Sequence, residues 1–151
     1  MSAEFAWPQR VYYQHTDAGG VVFHSNFLGF MENARTELLL SLGFDVSTLL
    51  HEHKTFFVVH SANLKFLRPA LLNDMLGITA EVTRATRARL VFTQRVKRGD
   101  DVLVEAEITL ACTDPKTHKP IPVPDGIYRI FASSQRDAVP AARTPEKETN
   151  P

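Results

Sequence analysis

One helix-like stretch followed by a long series of strand-like stretches is the feature that most constrains the fold of this chain. Residues 25–42 carry apolar side chains at spacings of three and four, which predicts an amphipathic helix. The repeating residues are Phe27, Phe30, Met31, Ala34, Leu38 and Leu42. Helices do not alternate with strands after this point. The order predicts an α+β fold, with an antiparallel sheet wrapped around one long central helix.

End residues set the expected bounds of the helices. Ser25 or Asn26 can cap the first turn of the long helix, and Gly43 can close its last turn. Asp45 is expected to cap a short second helix over residues 46–52. Both predictions rest on residue types that satisfy free backbone groups at helix ends.

Three residues inside the long helix carry further expectations. Glu32 and Arg35 fall on the predicted polar face, where an i,i+3 ion pair is expected. Gly29 costs about 1 kcal/mol relative to alanine at an interior helical position. A close approach of the helix to the sheet would explain this glycine.

Most later stretches alternate apolar and polar residues, as half-buried strands do. Residues 55–59 are instead continuously apolar, which predicts a strand buried on both faces. A turn at residues 98–101 joins two strands as a hairpin, and the second strand places its apolar residues, ending in Cys112, on one face. The expected strands cover residues 5–15, 55–66, 76–83, 89–97 and 102–112.

The last part of the chain is divided between the domain and a tail. Three prolines between residues 120 and 124 interrupt regular structure, and Ile127, Ile130 and Phe131 suit a final helical turn or a short strand. Residues 137–151 hold mostly proline, alanine and charged residues, which predicts a disordered tail. We therefore expect one domain over residues 1–136 and a tail over 137–151.

Composition narrows the class of protein. The 17 basic and 17 acidic side chains cancel, so no net field attracts nucleic acid or an anionic membrane. One cysteine excludes an internal disulfide. The N-terminal residues lack the pattern of a signal peptide, and no apolar run reaches membrane-spanning length. We expect a cytoplasmic protein without a transmembrane segment.

Asp17 stands between a strand-like run and the start of the long helix. Two glycines, Gly19 and Gly20, follow it, and the helix begins just after His24. A carboxylate can activate a nucleophile, and helix N-terminal amides can hold an oxyanion. Taken alone, Asp17 is more often a turn residue that bonds its own backbone. His24 equally suits a packing or capping role.

Other reactive side chains offer no competing site. His51 and His53 stand two apart on the short helix and point in different directions, so no metal site is predicted. Ser61 lies in a strand without a nucleophile-elbow sequence. Cys112 falls in an apolar stripe, as a buried thiol does. The sequence therefore predicts neither a metal nor a cofactor.

Arg84, Arg87 and Arg89 form a basic cluster between two predicted strands. A solvated turn is the ordinary interpretation. The alternative is a grip on phosphates, which suits the bidentate geometry of arginine. Because the net charge is zero, this alternative favours a local anion site over a nucleic-acid face.

A family resemblance extends these observations. Arg10–Val11, Thr16–Asp17 and Gly20-Val-Val-Phe-His24 are similar to the signature of the 4-hydroxybenzoyl-CoA thioesterase family of hotdog-fold proteins. Segments 34–37, 90–95 and Asp114–Pro115 resemble the branch of acyl-CoA thioesterases encoded with the Tol-Pal envelope system. The resemblance covers residues 5–132.

The resemblance implies a hotdog fold. It also implies an enzyme that hydrolyses an acyl-CoA, or an acyl carrier protein thioester, to the free acid and thiol. Asp17 would act as general base on water or as nucleophile, and the backbone N–H of His24 would face the thioester oxygen. The histidine, where the hydroxybenzoyl enzyme has tyrosine, argues against 4-hydroxybenzoyl-CoA as substrate. The family also implies a homodimer or homotetramer with sites across the dimer. The partner subunit's Val59, His60, Ser61 and Asn63 would line the pocket. From the basic cluster itself, we expect Arg87 and Arg89 to hold the nucleotide phosphates.

Hydrolysis of a thioester needs few catalytic groups. A thiolate, whose parent thiol has a pKa of about 8.5, departs without a strong general acid, whereas an amide needs a proton donor for its amine. One carboxylate and one helix amide can therefore suffice.

Two alternative functions come from other classes of protein. One is a non-catalytic acyl-carrier or envelope-associated binding module on the same fold. The other is a hotdog dehydratase, which needs a histidine and acid pair that the segment 17–24 does not resemble.

Overall fold

The computed structural model describes residues 4–138, with side chains described through residue 133. Helix α1 (Asn26–Ser41) is its longest element, followed by α2 (Val46–His51) and, near the end, α3 (Asp125–Ala138). This part of the chain forms one seven-stranded sheet. The strands are β1 (Ala6–Arg10), β2 (Phe56–Phe66), β3 (Met75–Thr79), β4 (Glu81–Ala85), β5 (Arg89–Arg98), β6 (Asp101–Thr113) and β7 (Pro120–Ile121).

All strand pairs are antiparallel, in the order β1-β3-β5-β6-β2, with β4 also on β5 and β7 also on β6. One core joins the apolar stripe of α1 to the inner face of the sheet. Its central members include Phe30, Met31, Ala34, Leu90, Phe92, Val96, Val104 and Ile108. The predicted α+β architecture, a sheet packed around one long helix, is confirmed.

The end of α1 follows the prediction more closely than its start. Gly43 adopts φ +93°, and its N–H donates to Leu40 O at 3.0 Å, while Phe44 N–H donates to Leu39 O at 2.8 Å. This Schellman motif satisfies the last carbonyls and confirms Gly43 as the closing residue. Ser25 occupies the N-cap position, but its side chain makes no capping hydrogen bond.

Two expectations about the faces of α1 are wrong. Arg35 is not on a polar face: it is buried, with 7% of its surface exposed, and it lies over Phe92. No carboxylate within residues 4–138 lies within ion-pair distance of it, so the Glu32–Arg35 pair is absent there. Gly29 is exposed, and a Cβ built on it meets nothing within 4 Å in the described chain. A close approach of α1 to its own sheet therefore does not explain Gly29.

Strand β2 differs from its expected burial. It lies at an edge of the sheet and pairs only with β6 among the described strands. Phe56, Val59 and Phe66 remain 44%, 54% and 53% exposed. The continuous apolar run at residues 55–59 is therefore not buried on both faces within one chain.

Further boundaries also change. The first strand stops at Arg10, because the chain then enters a 3-10 turn at Tyr13–His15. The stretch 76–83 divides into β3 and β4 around Ala80. Near the end, Ile127, Ile130 and Phe131 belong to helix α3 rather than to a strand. The predicted tail lies outside the described residues, except for residues 137–138, which continue α3.

Candidate active site

Asp17 lies in a narrow hairpin between β1 and α1. Its N–H donates to Val21 O at 2.9 Å, and Gly20, at φ +81°, donates back to Asp17 O at 3.0 Å. Gly19 N–H donates to Asp17 Oδ1 at 2.8 Å. A Cβ on Gly19 would lie 3.2 Å from that oxygen, so glycine leaves room for the carboxylate. Oδ2 accepts no hydrogen bond from residues 4–138, and the side chain is exposed.

His15 organises the base of this hairpin. Its ring Nδ1 accepts the Tyr12 N–H at 2.9 Å, and its carbonyl accepts the Phe23 N–H at 2.9 Å and the Asn26 side-chain amide at 2.8 Å. The ring meets Phe30 edge-on at 4.9 Å between centroids. Burial lowers the pKa of His15, which favours the neutral ring that this acceptor role needs. Sequence reasoning assigned His15 no role, although its position two residues before Asp17 was a signal.

His24 precedes α1 by two residues and contributes an open amide. The first amides of the helix donate to carbonyls three residues earlier. Asn26 N–H donates to Phe23 O at 2.9 Å, and Phe27 N–H donates to His24 O at 3.3 Å. The N–H groups of His24 and Ser25 donate to no acceptor within residues 4–138. These two amides are therefore the available donors at the helix entrance.

Along the hairpin, the Asp17–Val21 and His15–Phe23 pairs are two ladder steps apart, and His24 follows by one more residue. The three residues from Val21 to His24 span at most about 11 Å when fully extended, so the His24 backbone lies no farther than that from Val21, which is opposite Asp17. The Asp17 side chain spans part of that distance. A carbonyl group with an attacking water fits such a separation.

The strand residues predicted to bind substrate lie on β2. Val59 pairs with Leu110 and Ser61 with Thr109, so His60 is the extra residue of a β-bulge. Bulges redirect side chains and occur often near functional sites. Leu110 is a core residue, which puts Val59 on the helix side of the sheet and Ser61 on the outer side.

Some of the predicted binding residues share a concave surface on that outer side. His60, Ser61, Arg84 and Arg89 line a depression of about 560 Å³, together with Glu107 and four further residues. Asn63 lines a neighbouring depression. Neither surface includes Asp17 or His24, so one described chain does not bring the two groups of predicted residues together.

Arg87 has a partner in its own chain. Its Nη1 donates to Asp125 Oδ1 at 2.8 Å, and its guanidinium lies 4.1 Å from the centre of the Tyr128 ring. Both partners belong to α3, so the Arg87 guanidinium is engaged within its own chain, although the Arg87 and Asp125 side chains are 63% and 51% exposed and α3 packs on the sheet through buried Ile127 and Phe131. This arrangement leaves Arg89 as the stronger candidate for a phosphate contact.

Known proteins resemble this chain over most of its length. Residues 19–105 match the family model described as the thioesterase superfamily. The acyl-CoA thioester hydrolase YbgC of Escherichia coli strain CFT073 is 43% identical over 84% of this chain and 95% of its own. The acyl-CoA thioesterase YbgC of Haemophilus influenzae is 40% identical over 84% and 93%.

The chain belongs to the thioesterase superfamily. A solved structure of a probable thioesterase from Bartonella henselae supports this at the level of the fold, with a TM-score of 0.77 and 34% identity over 81% of this chain and 100% of that one. The predicted hotdog fold is thereby confirmed, and the protein is a thioesterase. Among the described helices, none is long and apolar enough to cross a bilayer.

Proposed function

We propose that this thioesterase hydrolyses acyl-CoA, with Asp17 activating water or attacking the thioester carbon. The observation that carries the proposal is the environment of the Asp17 carboxylate. The Gly19 N–H donates to Asp17 Oδ1, while Oδ2 accepts no hydrogen bond from the described residues. The N–H groups of His24 and Ser25, which donate to no acceptor there, lie just before the start of α1. The names of the YbgC relatives support acyl-CoA as the substrate class.

The two groups divide the chemistry between them. As general base, Asp17 Oδ2 takes a proton from water while the water oxygen attacks the carbonyl carbon. As nucleophile, Oδ2 itself attacks that carbon and forms a mixed anhydride, which water then hydrolyses. In both routes the carbonyl oxygen gains charge, which the His24 N–H stabilises with help from the positive end of α1. The thiolate then leaves without needing an acid.

A second subunit completes the site in this proposal. The exposed edge of β2 carries apolar Val59 and Phe66, which a partner of the same kind would bury. The partner subunit's Val59, His60, Ser61 and Asn63 would then stand beside Asp17. Arg89 would reach the phosphates of coenzyme A from the depression that it shares with His60. The assembly is a homodimer or a homotetramer, in the cytoplasm.

The decisive experiment compares Asp17→Asn with Asp45→Asn. Each aspartate accepts the amide two residues later at 2.8 Å, from Gly19 and Ser47 respectively, and asparagine can keep that bond. Asp17→Asn removes only the base, so kcat/KM for an acyl-CoA should fall by about 10²–10⁴-fold. Asp45→Asn should match wild type. Near wild-type release of free thiol by Asp17→Asn would refute the proposed role.

Isotope labelling identifies the nucleophilic route. In a single turnover in H₂¹⁸O, a nucleophilic Asp17 leaves one ¹⁸O in its own carboxylate when water attacks the anhydride at the Asp17 carbon. A general base leaves the label only in the released acid, as does attack of water at the acyl carbon of the anhydride, so label in Asp17 is the diagnostic result.

The role of the His24 side chain is tested by substitution. His24→Ala keeps the backbone N–H, so it should change kcat by less than about tenfold if the amide rather than the imidazole is used. A loss as large as that of Asp17→Asn would instead assign the imidazole to the reaction.

A further inference from the structure

A short turn supports the candidate site from beneath. We call residues 69–74 the support turn. Asp74 N–H donates to Leu71 O at 3.0 Å and closes it, with Asn73 at φ +73°. Asparagine tolerates this left-handed backbone better than most residues do, as position i+2 of a type II turn requires. The support turn is a defined structure rather than an irregular link between β2 and β3.

Both ends of the site hairpin bond to this turn. On the entry side, Val11 N–H donates to Asp74 O and Asn73 N–H donates to Val11 O, each at 2.9 Å. On the exit side, Val22 N–H donates to Ala70 O at 2.9 Å, and Val21 forms a bridge with Leu71. The intervening residues, Asp17 among them, are therefore held from both sides by one turn.

One ion pair ties the support turn to the sheet. Asp74 Oδ2 accepts Arg98 Nη1 at 2.7 Å and the Leu71 N–H at 2.8 Å, and the same Nη1 donates to Pro69 O at 3.3 Å. Arg98 is the last residue of β5. Burial opposes ionisation of Asp74, but the Leu71 amide and Arg98 outweigh it and hold the pKa of Asp74 below its usual value.

This pair differs from a nearby surface pair. The side chains of Asp74 and Arg98 are 18% and 33% exposed, whereas Arg68 and Asp101, 3.3 Å apart, are both 58% exposed. Exposed pairs contribute little to stability or geometry, because water screens them. The Asp74–Arg98 pair is less exposed than the Arg68–Asp101 pair and takes part in three hydrogen bonds, which allows it to fix the turn.

We propose that Asp74 and Arg98 are positioning residues for the thioesterase reaction, which set the place of Asp17 through the support turn. This inference rests on the proposed role of Asp17. Neither side chain is expected to touch substrate. Their effect passes through Ala70 and Leu71 to Val21 and Val22, and from there to the Asp17 hairpin. A displaced carboxylate misaligns attack on the carbonyl, which lowers kcat and leaves the coenzyme A contacts unchanged.

The test measures kcat and KM in the full chain for Asp74→Asn, Arg98→Met, the double variant and Arg98→Lys. Asp74→Asn leaves one side-chain oxygen that can still accept the Leu71 amide, so this substitution removes the charge of the pair and leaves at most a weaker, neutral hydrogen bond to Arg98. We expect kcat to fall by about 10- to 100-fold in the single variants, with KM within about threefold of wild type. The double variant should lose no more than either single variant, because both act through one contact. Arg98→Lys should recover part of kcat.

Amide hydrogen exchange gives a second readout that does not depend on turnover. Exchange at Val22 and at Asp17 should speed up in Asp74→Asn and Arg98→Met, while core amides of Phe92 and Ile108 should keep wild-type protection. Arg68→Met, which removes the exposed pair between Arg68 and Asp101 at the start of β6, is the matched control and should change neither kcat nor exchange.

Wild-type kcat and wild-type Val22 exchange in Asp74→Asn and Arg98→Met would overturn the inference. So would a fall in thermal stability with kcat per folded molecule unchanged, since a purely structural pair behaves that way. The role of Asp17 is judged separately. Activity in Asp17→Asn would refute that role, whereas a dead Asp17→Asn beside a fully active Asp74→Asn would refute only the positioning residues.

Discussion

Gln94 Oε1 accepts a hydrogen bond from Arg35 Nη1 at 3.0 Å inside the core. The Gln94 amide nitrogen donates to Met31 O and Thr79 O, both at 3.1 Å, and the residue is fully buried. One side chain on β5 therefore ties α1 to both β5 and β3. Burial lowers the pKa of Arg35, and nearby Glu32 partly offsets this by favouring the charged form. The arrangement sets the height of α1 above the sheet.

Replacing Gln94 should be costly for this reason. Gln94→Met keeps a similar volume but leaves a buried guanidinium without its acceptor and removes one donor from each of the Met31 and Thr79 carbonyls. The free energy of unfolding should fall by about 2–4 kcal/mol, measured by urea titration. The double variant with Arg35→Met and Gln94→Met should be less destabilised than Gln94→Met alone, because it no longer buries an unpaired guanidinium charge. Gln14→Met, at an exposed position, is the control. Equal stability of Gln94→Met and wild type would contradict this account.

The sequence predicted the parts of the fold that repeat locally. Helix α1 and the β5–β6 hairpin carry long apolar patterns of one period, and Gly43 marks a helix end by its own conformation. The burial of Arg35 was not predictable in this way. A charged residue is assigned to the polar face by its type, and its acceptor Gln94 lies 59 positions away in the sequence.

Residues of the candidate site differ, for a similar reason, in how clearly the sequence marks them. Asp17 and His24 lie within one hairpin and its exit, so a local signature marked them. The exposure of β2 could not be predicted, because a continuous apolar run is the same whether its own chain or a partner covers it. The contact between Arg87 and Asp125 of α3 joins residues 38 positions apart, so no local pattern could predict it. His15 was overlooked because its role depends on hydrogen bonds rather than on a motif.

His15 gives the hairpin a dependence on pH. Its folded pKa is lowered by burial, so the unfolded chain binds the proton more tightly over this range. The stabilisation is complete above the ordinary value of 6.5 and is lost as the pH falls through the lowered folded pKa. NMR titration of the ring should give a pKa for His15 below the ordinary value of 6.5. Thermal midpoints of wild type should drop from about pH 7 to about pH 5 more steeply than those of His15→Gln. Identical slopes would show that the ring does not titrate in this way.

Arg87 should affect helix α3 rather than substrate binding. Arg87→Ala removes the Asp125 contact and the stacking on Tyr128, which should speed amide exchange in the first turn of α3. KM for acyl-CoA should stay near wild type. In contrast, Arg89→Ala should raise KM by about tenfold with little change in kcat, if Arg89 contacts the phosphates. A raised KM together with unchanged α3 exchange in Arg87→Ala would assign that phosphate role to Arg87 instead.

Cys112 should be unreactive in the folded protein. It is 1% exposed, between Phe57 of β2 and Ile121 of β7, and burial raises the pKa of its thiol to about 12. Because the thiolate is the reactive form, a disulfide reagent should modify the native chain far more slowly than a free cysteine, and the single thiol of each chain should react in denaturant. Release of coenzyme A can then be followed with the same reagent. Rapid modification of the native protein, absent in Cys112→Ala, would instead show that the β2–β6 edge opens on the assay timescale.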